Sequence, residues 1–213
     1  MSRNNPTQSL AEKLGVTPTD LRERKQLLGI DSDVEAALAR MKPLVEPGVD
    51  EVIEAFYERQ LSVPAIRAMI GDKDTLIHLK RAMRRYVLEL FCGDYGEDYA
   101  AKRLRVGRIH GRIGISSKYY VGAITLLMAV LRDHLRRQDP TAPVEHLKLI
   151  LLFDLELTFD TYVHGLFGQV EAANEVLTAY SHELEELVRE RTARIEMLSR
   201  TDQITGLNNR RQF

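Results

Sequence analysis

The sequence predicts an all-α protein. Apolar residues recur at i, i+3, i+4 and i+7 in every long segment, and no window holds a sustained period-two alternation. Helix starts and stops punctuate the chain at short intervals, in the form of Ser, Thr or Asp caps, prolines at first-turn positions and glycines at ends. The character also changes at Glu171, where a stretch to Ser199 lacks Gly and Pro and charge rises, so a helical domain is expected to pass into a helical extension.

Residues 1–16 carry nothing that demands order. Thr17, Pro18 and Asp20 read as an N-cap, a proline at the first helical position and an early acid, with the helix ending at Gly29. Ser32 and Glu35 form a capping-box pattern for DVEAALARMKPLV, which Pro43 should kink or end. Pro47 and Gly48 introduce VDEVIEAFYERQL, where Val49, Val52, Ile53, Phe56 and Tyr57 share a face; Tyr57 is therefore expected to be buried. A turn at Ser62 to Pro64 leads into AIRAMI, closed by Gly71. Asp74 is expected to cap TLIHLKRAMRRYVLELF, with Leu76, Leu79, Met83, Val87 and Leu90 on one stripe.

After CGDYG the chain reads EDYAAKRLRVGRIHGRI, which puts Val106, His110 and Ile113 on one face, so His110 should look inward. GISSKYY breaks the helix; YYVGAITLLMAVLRDHL follows and ends at Asp139 and Pro140. Pro143 opens the last long helix, VEHLKLILLFDLELTFDTYVHGLFG. The segment VLTAYSHELEELVRERTARIEMLS has apolar residues near heptad spacing, with Leu177, Leu184 and Leu198 on one seam and Arg191 interrupting it. Its second seam is filled by Tyr180, Leu187 and Arg194, or one residue later by Ser181, Val188 and Ile195. Two registers of a short parallel coiled coil are open, and a signal could shift the helices between them.

Composition narrows the function. A net charge of −1, from 30 Lys+Arg against 31 Asp+Glu, argues against nucleic acid and anionic lipid as partners. One cysteine, Cys92, rules out an internal disulfide framework and suits a reducing compartment. The opening MSRNNPTQSLAEK is too polar for a signal peptide, and the apolar run Tyr119–Leu131 is shorter than the roughly 20 residues that span a bilayer. The expectation is a cytoplasmic protein without a membrane segment.

Buried histidines usually satisfy a backbone group, and buried tyrosines usually pack with a satisfied hydroxyl; both readings stand for His110 and Tyr57 on the pattern alone. The pieces KPLVEPGVDEVIEAFYERQL, LKRAMRRYVLELFCGDY and RVGRIHGRIGISSKYYVGA change this. Together they make residues 17–168 resemble the sensor globin of the globin-coupled sensor family. That resemblance implies haem b as cofactor, His110 as proximal iron ligand and Tyr57 as distal hydrogen-bond donor to O2, with CO or NO as other gases. It further implies Tyr120 beside the proximal histidine and Leu79, Ala82 and Met83 facing the pocket from the distal helix. Some members carry a polar side chain where Ala82 stands, so Tyr57 is left as the evident donor; Tyr119 replaces a frequent tryptophan. The family pairs the two helices Tyr119–Leu135 and Val144–Phe167 between subunits, so a homodimer through them and the linker, residues 169–200, is implied.

His78 adjoins Leu79 and is expected near solvent; His134, His146 and His164 have no partner at metal-ligand spacing. SHELEELV around His182 echoes a histidine-kinase phosphoacceptor box but lacks its downstream proline. Residues 201–213 resemble the start of a GGDEF domain, D-x-L-T-G-L-x-N-R-R-x-F. Asp202, Thr205, Gly206, Leu207, Asn209, Arg210, Arg211 and Phe213 match it, and Ile204 replaces a leucine. Such domains condense two GTP into cyclic di-GMP with Mg²⁺ held by later acids, so the expected whole is an O2 sensor governing a diguanylate cyclase. This chain, stopping before those acids, is expected to be inactive as a cyclase. A haem-free helical dimerisation module, or a sensor with a different output, is the alternative.

Overall fold

The computed structural model describes residues 9–200, and they are helical throughout with no strand among them. The all-α expectation holds. Two compact units divide the chain, residues 1–165 and 166–213.

In the first unit a short helix α1 (Leu10–Lys13) is closed by a capping box, Ser9 with Glu12. Thr17 caps α2 (Pro18–Leu28) through Asp20 N, and Gly29 ends it at φ +72°, where a side chain would be strained. The cap of α3 (Ser32–Val45) is Asp31 rather than Ser32: its carboxylate accepts from the backbone of Asp33 and Val34. Pro43 neither ends nor closes this helix at once. The helix continues to Val45 and tightens into a 3-10 turn, Glu46–Gly48, because near a C-terminus proline disturbs only the last turn.

Helix α4 (Val49–Leu61) buries Val52, Ile53, Phe56, Tyr57 and Gln60 on the periodic face. Helices α5 (Pro64–Ile70) and α6 (Lys73–Glu89) follow, and the cap of α6 is Asp72, not Asp74; it accepts from Thr75 N at 2.7 Å. The stripe on α6 is buried only at its far end. Val87 and the following Leu90 are inaccessible, Leu76 and Met83 are half-buried, and Leu79 is 36% exposed.

Helix α7 (Glu97–Arg112) is closed by Gly114 at φ +71°, with Ile115 N donating to His110 O at 3.1 Å. Helix α8 (Ser117–Gln138) follows, and α9 (His146–Arg200) starts three residues beyond Pro143 and runs unbroken through Gly165 and Gly168. The core is a cluster centred on Leu38, Val45, Leu90, Phe91, Leu104, Leu131, Leu135, Leu147 and Phe153, with α4 laid on α6 and α8.

One close approach sits in this core. His134 is buried on α8 with Nε2 3.2 Å from Leu44 O, and its ring lies where a Cβ on Gly48 would be. No helix among the described residues is long and apolar enough to cross a membrane. In the second unit α9 exposes Val170, Val176, Leu177, Tyr180, Leu184, Leu187, Val188 and Ile195, which includes positions from both heptad registers.

Candidate functional site

His110 stands half-buried in the last turn of α7, with its ring held from two sides. Its Nδ1 is 2.8 Å from Val106 O, one turn back. A carbonyl only accepts, so Nδ1 carries the proton and the Nε2 lone pair is left free. Burial pushes the imidazole below its ordinary pKa, and the bond to Val106 opposes that only partly, which keeps the ring neutral. A neutral imidazole with a fixed tautomer and an open nitrogen is the form that ligates a metal.

The Tyr120 ring meets His110 edge to face, with centroids 5.2 Å apart and planes at 70°. Its hydroxyl lies 2.9 Å from Thr158 Oγ1 on α9, and burial pushes its pKa up to about 12. Tyr162, also on α9, donates to Ile115 O at 3.2 Å, just past the end of α7. Between these points Gly107 lets the two helices touch. A Cβ there would overlap Thr161 Oγ1 and stand 3.0 Å from Thr158 Cα.

Tyr57 is 7% exposed and packs edge to face against Phe56 at 5.2 Å. Its hydroxyl makes no hydrogen bond among the described residues, and desolvation pushes its pKa up to about 12. The hydroxyl oxygen is not among the fully enclosed, unpartnered polar atoms, so it can reach a partner outside the protein. The structure brings His110 and Tyr120 together. No hydrogen bond or ring contact joins them to Tyr57, Leu79, Ala82 or Met83, which stand on α4 and α6.

Apolar side chains are left uncovered on successive elements: Val63 just before α5, Met69 on α5, Ile77 and Leu79 on α6, Ile109 on α7, Ile113 just after it, and Val121 on α8. Ala82 is exposed as well, and Met83 is half-buried. Exposed apolar side chains on neighbouring elements are what a bound apolar group would cover. With the free Nε2 and the unpaired Tyr57 hydroxyl, the residues present fit a flat, largely apolar group carrying one metal. His78 is exposed, as expected for a residue facing solvent. No cluster of His, Cys, Asp and Glu among the described residues could hold an ion by itself.

A polar cluster that the sequence did not signal lies deeper. Arg103, 2% exposed, puts Nε 3.1 Å from Asp154 Oδ2 and Nη1 3.1 Å from Glu89 Oε2. Its guanidinium is sandwiched between the rings of Tyr86 and Tyr99, 4.2 Å from each centroid. Tyr86 donates to Asp154 Oδ2 at 2.7 Å. Arg103 stands in sequence among other basic residues, Lys102, Arg105 and Arg108, from which nothing local distinguishes it. The signal that could have found the cluster is Asp154, an acid inside the apolar run LILLFDLELTF.

This fold is that of a globin, and the chain belongs to the Protoglobin family, whose sequence profile matches residues 17–166. It is similar to the heme-based aerotactic transducer HemAT of Halobacterium salinarum, at 29% identity over 196 residues. That match takes in 83% of this chain and 40% of the transducer, so the chain spans less than half the length of that relative. Among solved structures it is similar in fold to the globin domain of the Geobacter sulfurreducens globin-coupled sensor, with a TM-score of 0.58 and 22% identity; the match covers 67% of this chain and 97% of that one.

Proposed function

We propose that the chain is a haem-based gas sensor, with O2 as its ligand, whose output is a diguanylate cyclase joined through α9. The observation that carries the haem reading is the His110 ring, tied by Nδ1 to Val106 and open at Nε2 in an apolar setting. Membership of the Protoglobin family supports it, as does the name of the Halobacterium relative. When bound, haem b would supply an iron that takes a diatomic gas. His110 holds that group by Nε2, with Tyr120 bracing the ring. Leu79, Ala82, Met83 and their apolar neighbours exclude water. Tyr57 offers its hydroxyl proton to a bound gas that has partial negative charge, a preference for O2 over CO of about 1–3 kcal/mol.

A homodimer through α8, α9 and the linker fits the same reading. Phe159, Val163, Leu166, Phe167 and Val170 of α9 are 41–70% exposed, and a second copy would cover them. The cyclase rests on the motif Asp202–Phe213, which lies outside the described residues. The sensor joined to an intact GGDEF domain should make cyclic di-GMP from GTP and Mg²⁺ at a rate that changes with O2.

The deciding test is the visible absorption spectrum of the ferrous protein with and without O2, beside His110→Ala. A haem spectrum that shifts with O2 and is lost in the variant carries the proposal. Absence of a haem band after reconstitution leaves the haem-free dimerisation module, and haem retained by the variant moves the ligand elsewhere.

A further inference from the structure

We infer that Arg103 and Asp154 are a positioning pair that sets the register of α7 on α9, and through it the height at which His110 presents Nε2. The inference rests on the haem reading above. Three tie points run in the same direction along both helices: Arg103 with Asp154, Gly107 with Thr158 and Thr161, and Ile115 with Tyr162. Arg103 lies two turns before His110 on the same side of α7, and Asp154 lies one turn before Thr158, the residue that meets Tyr120.

The middle and last ties are small-residue packing and one hydrogen bond to a loop. Apolar ridges of neighbouring helices can settle into more than one groove, so such contacts choose a register weakly. The Arg103–Asp154 pair differs because its charges are buried and directional: Nε meets Oδ2 at 3.1 Å, while Nη2 and Oδ1 have no hydrogen-bond partner. The guanidinium must lie between the Tyr86 and Tyr99 rings, reach Glu89, and meet the carboxylate that Tyr86 also fills. A slip of one helical turn on α9, about 5.4 Å, would strand Asp154 without water and leave Arg103 only Glu89 as a charged partner. A buried pair is weak evidence for stability, and register is its best-attested use. Tyr120 already braces the His110 ring; Arg103 and Asp154 act on the backbone that carries it.

The test replaces both charges at once, Arg103→Met with Asp154→Leu, which leaves no stranded ion and keeps the volume close. The readouts are the iron–histidine stretching band of the ferrous protein by resonance Raman and the O2 dissociation rate by stopped flow. The double variant should bind haem, shift the band and change the rate by about tenfold, the lower end of what partners of a metal ligand contribute. Leu147→Ala, a loss of equally buried bulk on α9, should destabilise the domain and leave the band in place. An unmoved band and rate in the double variant would overturn the inference, as would an equal shift in Leu147→Ala.

Should the double variant not fold, Tyr86→Phe removes only the 2.7 Å hydrogen bond to Asp154 and keeps the ring over Arg103. It should move the band in the same direction by less, and no movement counts against the pair. If the parent protein takes no haem, the haem reading fails and the register claim is read on the apoprotein. Amide exchange across residues 104–112 should then speed by about tenfold in the double variant relative to Leu147→Ala, a coupling at the low end of the usual range. Equal protection overturns it.

Discussion

Gly107→Ala and Gly111→Ala make the same chemical change on the same helix, and they should move stability in opposite directions. In an open helical position the exchange gains about 1 kcal/mol from reduced backbone entropy of the unfolded chain. A Cβ on Gly111 meets nothing within 4 Å, so Gly111→Ala should stabilise the cofactor-free chain by up to that amount. At Gly107 the new methyl overlaps Thr161 Oγ1 and reaches 3.0 Å from Thr158 Cα. Rotating Thr161 away breaks its buried 2.7 Å hydrogen bond to Thr158 O, a loss of about 1 kcal/mol that cancels the entropic gain. What remains is overpacking against backbone that cannot move aside, about 2 kcal/mol. For a chain of this length that lowers the melting temperature by about 4–8 °C, where Gly111→Ala raises it by about 2–4 °C. Thermal unfolding followed by circular dichroism reads both. Adding Thr161→Ala to Gly107→Ala should recover part of the loss. If Gly107→Ala stabilises as much as Gly111→Ala, the close crossing of α7 and α9 is wrong.

The oxygen reading makes Tyr57→Phe speed O2 release by about tenfold to a hundredfold with little change for CO, measured by stopped flow; equal effects on both gases would remove Tyr57 as the donor. Asp31→Ala should cost about 1 kcal/mol in urea unfolding, and Ser32→Ala only a few tenths, since Asp31 alone accepts from Asp33 N and Val34 N. Burial raises the phenols of Tyr57 and Tyr120 to about 12, against about 10 in an unfolded chain. The sign follows: the stability they contribute is complete below pH 10 and is lost as pH rises through 12, because the unfolded chain gives up those protons first. Phenolate absorbance should therefore show a late phase near pH 12 that coincides with loss of helix, and Tyr120→Phe should shrink that phase. Asp72, held below the usual carboxylate range by its bonds to Thr75, should likewise withdraw its support from α6 as pH falls below about 4; Asp72→Asn should flatten that acid limb.

The helices and most of their ends could be read from the sequence because the rules involved are local. Thr17 with Pro18, Gly29 and Gly71 each act within a few residues, and the structure puts all of them where expected. Caps failed where several acceptors competed. Ser32 and Asp74 satisfied the pattern, and the residues with extended backbone, Asp31 and Asp72, took the role. Burial of Tyr57 followed from period, as did the inward His110, but period could not show that Leu79 at the other end of its stripe stays 36% exposed. That depends on what α6 faces, a property of the tertiary arrangement. The Arg103–Asp154 pair was invisible for the same reason: 51 positions separate the partners, and each alone looks ordinary. The unbroken passage of α9 through Gly165 and Gly168 also ran against local expectation, since each glycine weakens a helix by about 1 kcal/mol without being obliged to end it.

The approach of His134 to Gly48 carries a consequence for descent. Gly48 has φ −107°, a conformation open to any residue, so its backbone does not require glycine. What requires it is an imidazole from α8, eighty-six positions downstream, occupying the space a side chain would need. The two positions are therefore constrained as a pair. Among related chains, any residue larger than glycine at the position of Gly48 should travel with something smaller than histidine at that of His134. A lineage could cross between those states only by shrinking the ring first.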